Sequence, residues 1–533
     1  MAAGTTETAP GGPTKTPVQL LNAAETLLRP ALDAGLGDHP AILVDDQVVT
    51  YAELDADACR FGNACLDLGL RPQDRVLMVL HDRPYFFSVY LGAMKVGAVP
   101  IAFTLRASAH DLEFAIVDSG CRMLMIDREH VPLYEQIAGG IDNPPQVIVC
   151  DAEVPAYASL EAVMADQPGT LEPHPMDGDA MAFWMYTSGT TGTPKGAVHV
   201  QSGVAAGQRF LADVLGLGAG DRIFCSSKLF FAFSIGHCLF GALPLGMTTI
   251  LFDGWPNAEA VAGVVERHRP DALFSVPTLF RSLLAEGLAE GAAFKSVRYF
   301  VAAGEKLPEV VFDRWRQATG RPITEGIGAT ENAFLFLANR PGDEIAGSCG
   351  WPIPGTDVRL VADTGEPVAE ADAPGVLWVR SPSVAAGYWH QEDKTRAAFQ
   401  EGWYRTGDVF TRDADGRFRH QGRADDMLKV SGQWVSPGEI EECVLACPGV
   451  AEAVVVGAAN RDGLVRLMLF VQATEDADTD VAEAGIREHM LSTLAVYKCP
   501  RRIAFVDEMP RTPTGKVQRF RLRETAAEIV GRE

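Results

Sequence analysis

The sequence predicts an α/β protein with a large N-terminal part and a smaller α+β unit at its C-terminal end, and three observations predict it. Short apolar runs alternate with amphipathic helical stretches over most of the chain, the rhythm of parallel sheets covered by helices. Near residue 421 that rhythm gives way to the turn-rich DADGRFRHQGRADD, and then to strand patterns with few helices. At 533 residues the chain exceeds what one core organises, which suggests roughly three to four domain-sized units.

The elements follow in order. The opening MAAGTTETAPGGPTKTP is small, polar and rich in Pro and Gly, with neither a basic nor an apolar stretch, so residues 1–20 read as a disordered lead-in and not a secretory signal. The expected compartment is the cytoplasm. Leu54, Ala58, Phe61 and Cys65 are spaced by four, three and four, which puts them on one helical stripe facing a sheet, and Tyr51 joins Leu54 as a core candidate. VLMVL (76–80), MLMI (123–126), VIVC (147–150) and TTILF (248–252) are the buried strands. The N-terminal domain is expected over 21–421, and the polar GRADD supplies a hinge at 422–426. The C-terminal domain, 427–533, carries strands at VAEAVVVGA and RLMLFVQ. Ser436 with Glu439 forms a capping box that starts the helix bearing Ile440 and Val444.

Composition excludes several functions. Nearly half the residues are apolar, yet no stretch of about 18 is free of polar breaks, so no transmembrane helix is expected. A formal charge of −24 disfavours nucleic acid or an anionic membrane as partner, because both need a basic surface. The ten cysteines, Cys59 to Cys499, include no CxxC pair and no zinc spacing. Cys443 and Cys447, one helical turn apart, read as small buried residues.

The main chemical signal is YTSGTTGTPKG, Tyr186 to Gly196, which follows the apolar MAFWM. A buried strand empties into a hydroxyl-rich glycine loop, a geometry that suits phosphate. Gly189, Gly192 and Gly196 let backbone N–H groups approach an anion, Thr187, Ser188, Thr190 and Thr191 supply donors, and Lys195 supplies charge. It is not a Walker A loop, because Pro194 precedes Lys195 and Gly196 follows it.

This loop resembles the phosphate loop of the adenylate-forming superfamily of acyl-CoA synthetases, peptide-synthetase adenylation domains and luciferases. Further motifs follow in that family's order: KLFFAFSIGH (228–237), AGEKLP (303–308), GIGATEN (326–332), GSCGWPIPG (347–355), YRTGD (404–408), GRADDMLKVSGQWVSPGEIE (422–441) and PRTPTGKVQR (510–519). The resemblance therefore runs from about Val49 to the C-terminus. It implies two α/β subdomains and a distorted β-barrel in the N-terminal AMP-binding domain, with a mobile C-terminal domain.

It also implies roles. Glu331 would hold Mg2+ on the ATP phosphates with Thr190 or Thr191. Gly304 and Glu305 would frame the adenine, and Gly328, Ala329 and Thr330 would line the nucleotide. Asp408 and Arg423 would take the ribose hydroxyls. Lys516 would stabilise attack of the carboxylate on the α-phosphate, a step that needs no general base. Rotation about Asp425 would then bring Ser431, Gly432 and Trp434 to line the tunnel for coenzyme A. Ile327 stands where many relatives stack a tyrosine on adenine.

For the acid, KLFFAFSIG, GIGATEN, DGWP (253–256) and GQWVSPGEIE resemble the benzoate–CoA ligase branch. Phe231, Ala232, Phe233, Ala303, Gly328 and Phe334 are the implied acyl residues, with Phe231 between acyl pocket and thiol tunnel. Phe233 replaces a common Tyr, and Asn332, Ala333 and Phe334 replace a common Met-Leu-His, so a substituted benzoate, an alicyclic acid or an arylalkenoic acid competes with benzoate itself. His237 is read either as a pocket residue or as a structural one.

The expected activity is an ATP-dependent acid:CoA ligase using ATP, Mg2+ and coenzyme A, without a tightly bound organic cofactor. Its partners are a small carboxylic acid, ATP and CoA, without nucleic acid or membrane; a homodimer is compatible. The alternatives are an adenylation enzyme that loads a carrier protein and a nucleotide-binding protein without catalysis.

Overall fold

The computed structural model describes residues 20–188, 194–362, 364–430, 433–461, 465–474, 476–511 and 517–530. Two large sheets dominate the N-terminal part. In the first, six parallel strands run in the order Met181–Ser188, Val99–Ala102, Arg75–Val79, Met123–Ile126, Gln146–Val149 and Ala158–Ser159, and Pro194–Val200 adds antiparallel beside Met181–Ser188. In the second, Ile323–Gly328, Tyr299–Ala302, Ala272–Ser275, Arg222–Cys225, Thr248–Ile250 and Pro40–Val44 are parallel, with antiparallel strands at both edges. Both faces of each parallel sheet are covered, which is why the strand sequences are continuous apolar runs.

Residue alternation sorts these runs into three layers. Val76 and Met78 face a central core shared with Ile223 and Phe274 of the other sheet, whereas Leu77 and Val79 face an outer core. Leu273 and Phe300 build the outer core of the second sheet. The helix Tyr51–Asp67 starts at a full capping box of Thr50 and Glu53 and buries Tyr51, Leu54, Ala58, Phe61 and Cys65, the predicted stripe. It crosses the helix Pro84–Lys95 closely, because a Cβ on Gly92 would stand 2.5 Å from the Ala58 carbonyl oxygen.

A five-stranded antiparallel sheet, built on Asp357–Val361, Gly375–Arg380, Phe399–Gln400, Trp403–Arg412 and Phe418–Arg423, follows. The chain then turns through 424–426 into the hairpin Leu428–Val430 and Gln433–Val435. A smaller unit comes last, with Val450–Ala459, Val465–Ala473 and Arg502–Phe505 forming one sheet and the helices Pro437–Leu445, Thr479–Thr493 and Arg519–Val530 packing on it.

The cap at Ser436 is only half of the predicted box. Ser436 Oγ accepts from the Glu439 N–H at 3.4 Å, but the Glu439 carboxylate turns away to Lys498 at 2.6 Å, a nearby ammonium being the stronger partner. All ten cysteines are unpaired, eight of them buried and Cys150 and Cys499 half-buried. Among the described residues no helix is long and apolar enough to cross a membrane.

Candidate functional site

Several candidate residues lie where parallel strands end, the position at which α/β sheets open a crevice. Met181–Ser188 ends at the phosphate-type loop, and the return strand sets Thr187 opposite Lys195. Ala303 and Gly304 follow Tyr299–Ala302, Gly328 closes Ile323–Gly328, and the aromatic segment follows Arg222–Cys225. Gly189, Thr190, Thr191, Gly192, Ser431, Gly432 and Lys516 lie outside the described residues, as do the side chains of Ser188 and Trp434.

Glu331 sits in the short turn Thr330–Asn332 and is 9% exposed. Its Oε1 accepts a 2.7 Å hydrogen bond from the Tyr388 hydroxyl, and its backbone carbonyl accepts from Ala385 N–H at 2.8 Å. Tyr388 in turn lies under Lys195, whose Nζ is 4.9 Å from the ring centroid. Burial, together with Lys394, holds the Lys195 ammonium below its ordinary value, while Glu331 opposes this. Lys195, Tyr388 and Glu331 thus form one stack. Ala333, directly after the turn, takes φ 62°, a left-handed conformation that a side chain rarely adopts.

The turn is held by groups that no local sequence signal points to. His199 lies between the carbonyls of Thr330 (2.9 Å) and Ser383 (3.1 Å) and stacks on Phe183 at 4.6 Å. Asn332 is engaged locally: its amide donates to the Phe334 carbonyl at 3.0 Å and accepts from Ser383 Oγ at 3.2 Å. Gly328 lets this turn close, since a Cβ there would stand 2.7 Å from the Phe334 carbonyl oxygen.

On the opposite side, Asp408 and Arg423 are direct register partners on neighbouring strands. Arg423 Nη1 reaches Asp408 Oδ2 at 3.2 Å and the Thr406 carbonyl at 2.9 Å, and His420 Nε2 reaches Asp408 Oδ1 at 3.2 Å. Burial works against the Asp408 charge, but His420 and Arg423 prevail and hold the carboxyl below its usual range. Gly407, at φ 74°, makes room for the guanidinium, which stands 2.8 Å from where a Cβ would be. His420 was missed by motif reasoning because its contact depends on cross-strand register. Glu305 uses its carboxylate to accept from Thr278 Oγ1 at 2.7 Å, tying the turn at Gly304, φ 90°, to the helix Pro277–Ala285.

Asp425 lies in the turn after Arg423. Its neighbour Asp426 is bound by Arg523 and lies 3.9 Å from Arg519, both on the C-terminal helix. The smaller unit also touches the larger one through Lys306 Nζ to Glu442 Oε2 at 2.5 Å and Arg281 Nη1 to the Ala451 carbonyl at 3.2 Å.

The acyl candidates are brought together in another way. Ala232, Phe233, Ala303 and Phe334 all belong to or pack on the central core. Phe233 meets Phe274 at 5.7 Å, Phe334 meets Phe240 at 5.9 Å, and Phe231 packs on Phe230 at 4.4 Å. The segment is anchored by Lys228, 2% exposed, which donates to the carbonyls of Phe252 and Asp253 and lies 3.3 Å from Asp82. Burial pushes the Asp82 carboxyl up to about 6 in spite of that lysine.

Residues 32–389 match the family described as AMP-binding enzyme, and residues 439–516 match the AMP-binding enzyme C-terminal domain. The chain is similar to the 3-hydroxybenzoate–CoA ligase of Aromatoleum sp. (strain CIB), at 46% identity over 95% of this chain and 97% of that protein. It is equally similar to the 3-hydroxybenzoate–CoA/4-hydroxybenzoate–CoA ligase of Thauera aromatica, at 46% identity over 95% of this chain and 98% of the relative. Among solved structures, an anthranilate CoA ligase in complex with anthranoyl-AMP matches with a TM-score of 0.90 at 34% identity, covering 96% of this chain and 98% of that one.

Proposed function

Because the chain belongs to the family of AMP-binding enzymes, we propose that it is an ATP-dependent acid–CoA ligase acting on benzoate or a substituted benzoate. The observation that carries this reading is that the turn of Glu331, a polar assembly with Tyr388 and Lys195, runs on into Ala333 and Phe334, which pack against Gly236 of the apolar aromatic segment bearing Phe233. A charged nucleotide needs the first and a planar aromatic acid suits the second. Relatives named for hydroxybenzoates, and a solved relative holding an aroyl-AMP, support the choice of acid.

In the first half-reaction a carboxylate oxygen of the acid attacks the α-phosphorus of ATP, forming the acyl-phosphate bond as pyrophosphate leaves. Asp408, held ionised by His420 and Arg423, accepts the ribose hydroxyls and fixes the nucleotide. Lys195 faces the phosphates, and Lys516 neutralises the charge that builds on the α-phosphate. Tyr388 orients the Glu331 carboxylate by occupying Oε1. Mg2+ fits such a site, because it is commonly held by one or two carboxylates with water and phosphate oxygens; when bound it supplies charge neutralisation of the leaving pyrophosphate.

In the second half-reaction the CoA sulfur attacks the acyl carbon, the thiol proton passes to solvent, and AMP leaves. The smaller unit turns about Asp425 to admit the thiol along Ser431, Gly432 and Trp434, with Phe231 at the junction. Its contacts with the larger unit include the polar pairs of Lys306 with Glu442 and Arg281 with the Ala451 carbonyl, which suit a surface that must separate and re-form.

The test is incubation with ATP, Mg2+, CoA and a panel of benzoates, cinnamates, cyclohexane carboxylates and short fatty acids, with AMP, pyrophosphate and acyl-CoA measured. AMP and aroyl-CoA appearing together support the proposal. Acid-dependent pyrophosphate without CoA thioester transfers the enzyme to carrier-protein loading, and ADP in place of AMP removes the adenylate mechanism.

A further inference from the structure

Inside the aromatic wall lies one polar atom that the protein leaves without a partner. His237 opens the second position of the π-helical turn Gly236–Gly241, which continues the helix Ala232–Ile235, and it is 1% exposed. Its Nδ1 stands 2.7 Å from the carbonyl oxygen of Phe233, one turn back. A carbonyl offers only lone pairs, so in the neutral ring the proton sits on Nδ1 and Nε2 is a bare acceptor. That Nε2 is buried and has no hydrogen-bond partner among the described residues.

The surroundings explain why no protein group satisfies it. Phe210, Phe233 and Phe274 pack around the imidazole with centroid distances of 5.7, 5.4 and 4.9 Å, and none of them carries an O–H or N–H. Burial also pushes the ring down to about 4, against the Phe233 carbonyl, so it stays neutral at physiological pH and keeps its acceptor. A buried acceptor of fixed tautomer, left unsatisfied by an otherwise apolar shell, is complementary to a ligand that brings a donor.

Phe233 connects this atom to the acid, since the ring that the resemblance assigns to the acyl pocket meets the His237 ring. We propose that His237 Nε2 selects the ring substituent of the acid, accepting a hydrogen bond from a hydroxyl or amino group. This rests on the aromatic-acid ligase reading and narrows it: the substrate class is a benzoate carrying a hydrogen-bond donor on the ring. A substituent with lone pairs alone, such as fluoro or methoxy, meets the lone pair of Nε2 and is disfavoured.

The experiment compares kcat/KM for 2-, 3- and 4-hydroxybenzoate with that of the fluorobenzoate of the same substitution, fluorine being close to hydroxyl in size without its proton. At one ring position the wild-type enzyme should prefer hydroxyl over fluorine by about tenfold to a hundredfold. H237F should collapse that ratio toward one, with the loss for the hydroxylated acid falling mainly on KM, because the substituent is remote from the reacting carboxylate. H237Q, which returns an oxygen acceptor, should recover part of the ratio. The proposal is overturned if hydroxyl and fluorine are equivalent at every ring position in the wild type, or if H237F lowers both acids alike. Should H237F fail to fold, the wild-type pairs and H237Q still decide. Absence of AMP with every aromatic acid would instead remove the ligase reading on which the proposal stands.

Discussion

The two sides of the crevice are built on opposite terms. On the side proposed for the nucleotide, polar groups already hold one another: Tyr388 with Glu331, and Arg423 and His420 with Asp408. On the side proposed for the acid, aromatic rings surround one unsatisfied nitrogen. Prepaired polar groups are positioned before the ligand arrives, and they suit the part of the reaction that is the same for every acid. A single group in apolar surroundings carries a disproportionate share of discrimination, and it suits the part that differs between acids.

The strongest way to break this division is at Lys516. K516A should lower acid-dependent pyrophosphate exchange by about a hundredfold to a thousandfold, while transfer from supplied aroyl-AMP to CoA is largely kept. Equal loss of both steps would show that the lysine does not belong to the first half-reaction alone. D408A should come next, raising the KM for ATP and lowering stability by about 1 kcal/mol, since the partly exposed Arg423 and His420 lose their partner. Thermal unfolding and ATP titration measure the two effects separately, and the ranking of acids should not change.

Y388F is a milder probe. Removing the hydroxyl frees Glu331 Oε1 and should lower kcat by roughly tenfold, with the KM of the acid unmoved. The smallest effect concerns pH. His237 is held at about 4 by burial, whereas an unfolded histidine titrates near 6.5. Between those values the unfolded chain binds more protons, so stability is present above about 6.5 and is lost as pH falls toward about 4. H237F should make that fall shallower by about one proton in a pH series of denaturant unfolding, whatever its effect on the acid.

Much of the fold was legible because it depends on local pattern. The strand Met123–Ile126 matches its apolar run, and the helical stripe from Leu54 to Cys65 is buried as its spacing required. The glycine loop was recognisable because its hydroxyls and glycines are contiguous. What escaped depends on distant pairing. Tyr388 is 57 residues from Glu331, and His420 meets Asp408 only through strand register. Asn332 is close in sequence to the expected pocket, but its amide serves Phe334 and Ser383, a competition between neighbours that the sequence does not display. For His237 both readings were open: Nδ1 serves the helix through the Phe233 carbonyl, and Nε2 carries the role proposed in the pocket.

An acyl-adenylate is a mixed anhydride, ready to acylate any thiolate within reach. Cys238 follows His237 directly in the chain, yet its thiol is buried, and contact with Cys225 together with that burial raises its pKa. Burial likewise pushes the Cys121 thiol up to about 12 and that of Cys349 well above its ordinary value. These three sulfurs therefore stay protonated and poorly nucleophilic, which keeps them from competing with an incoming thiol for the activated acid.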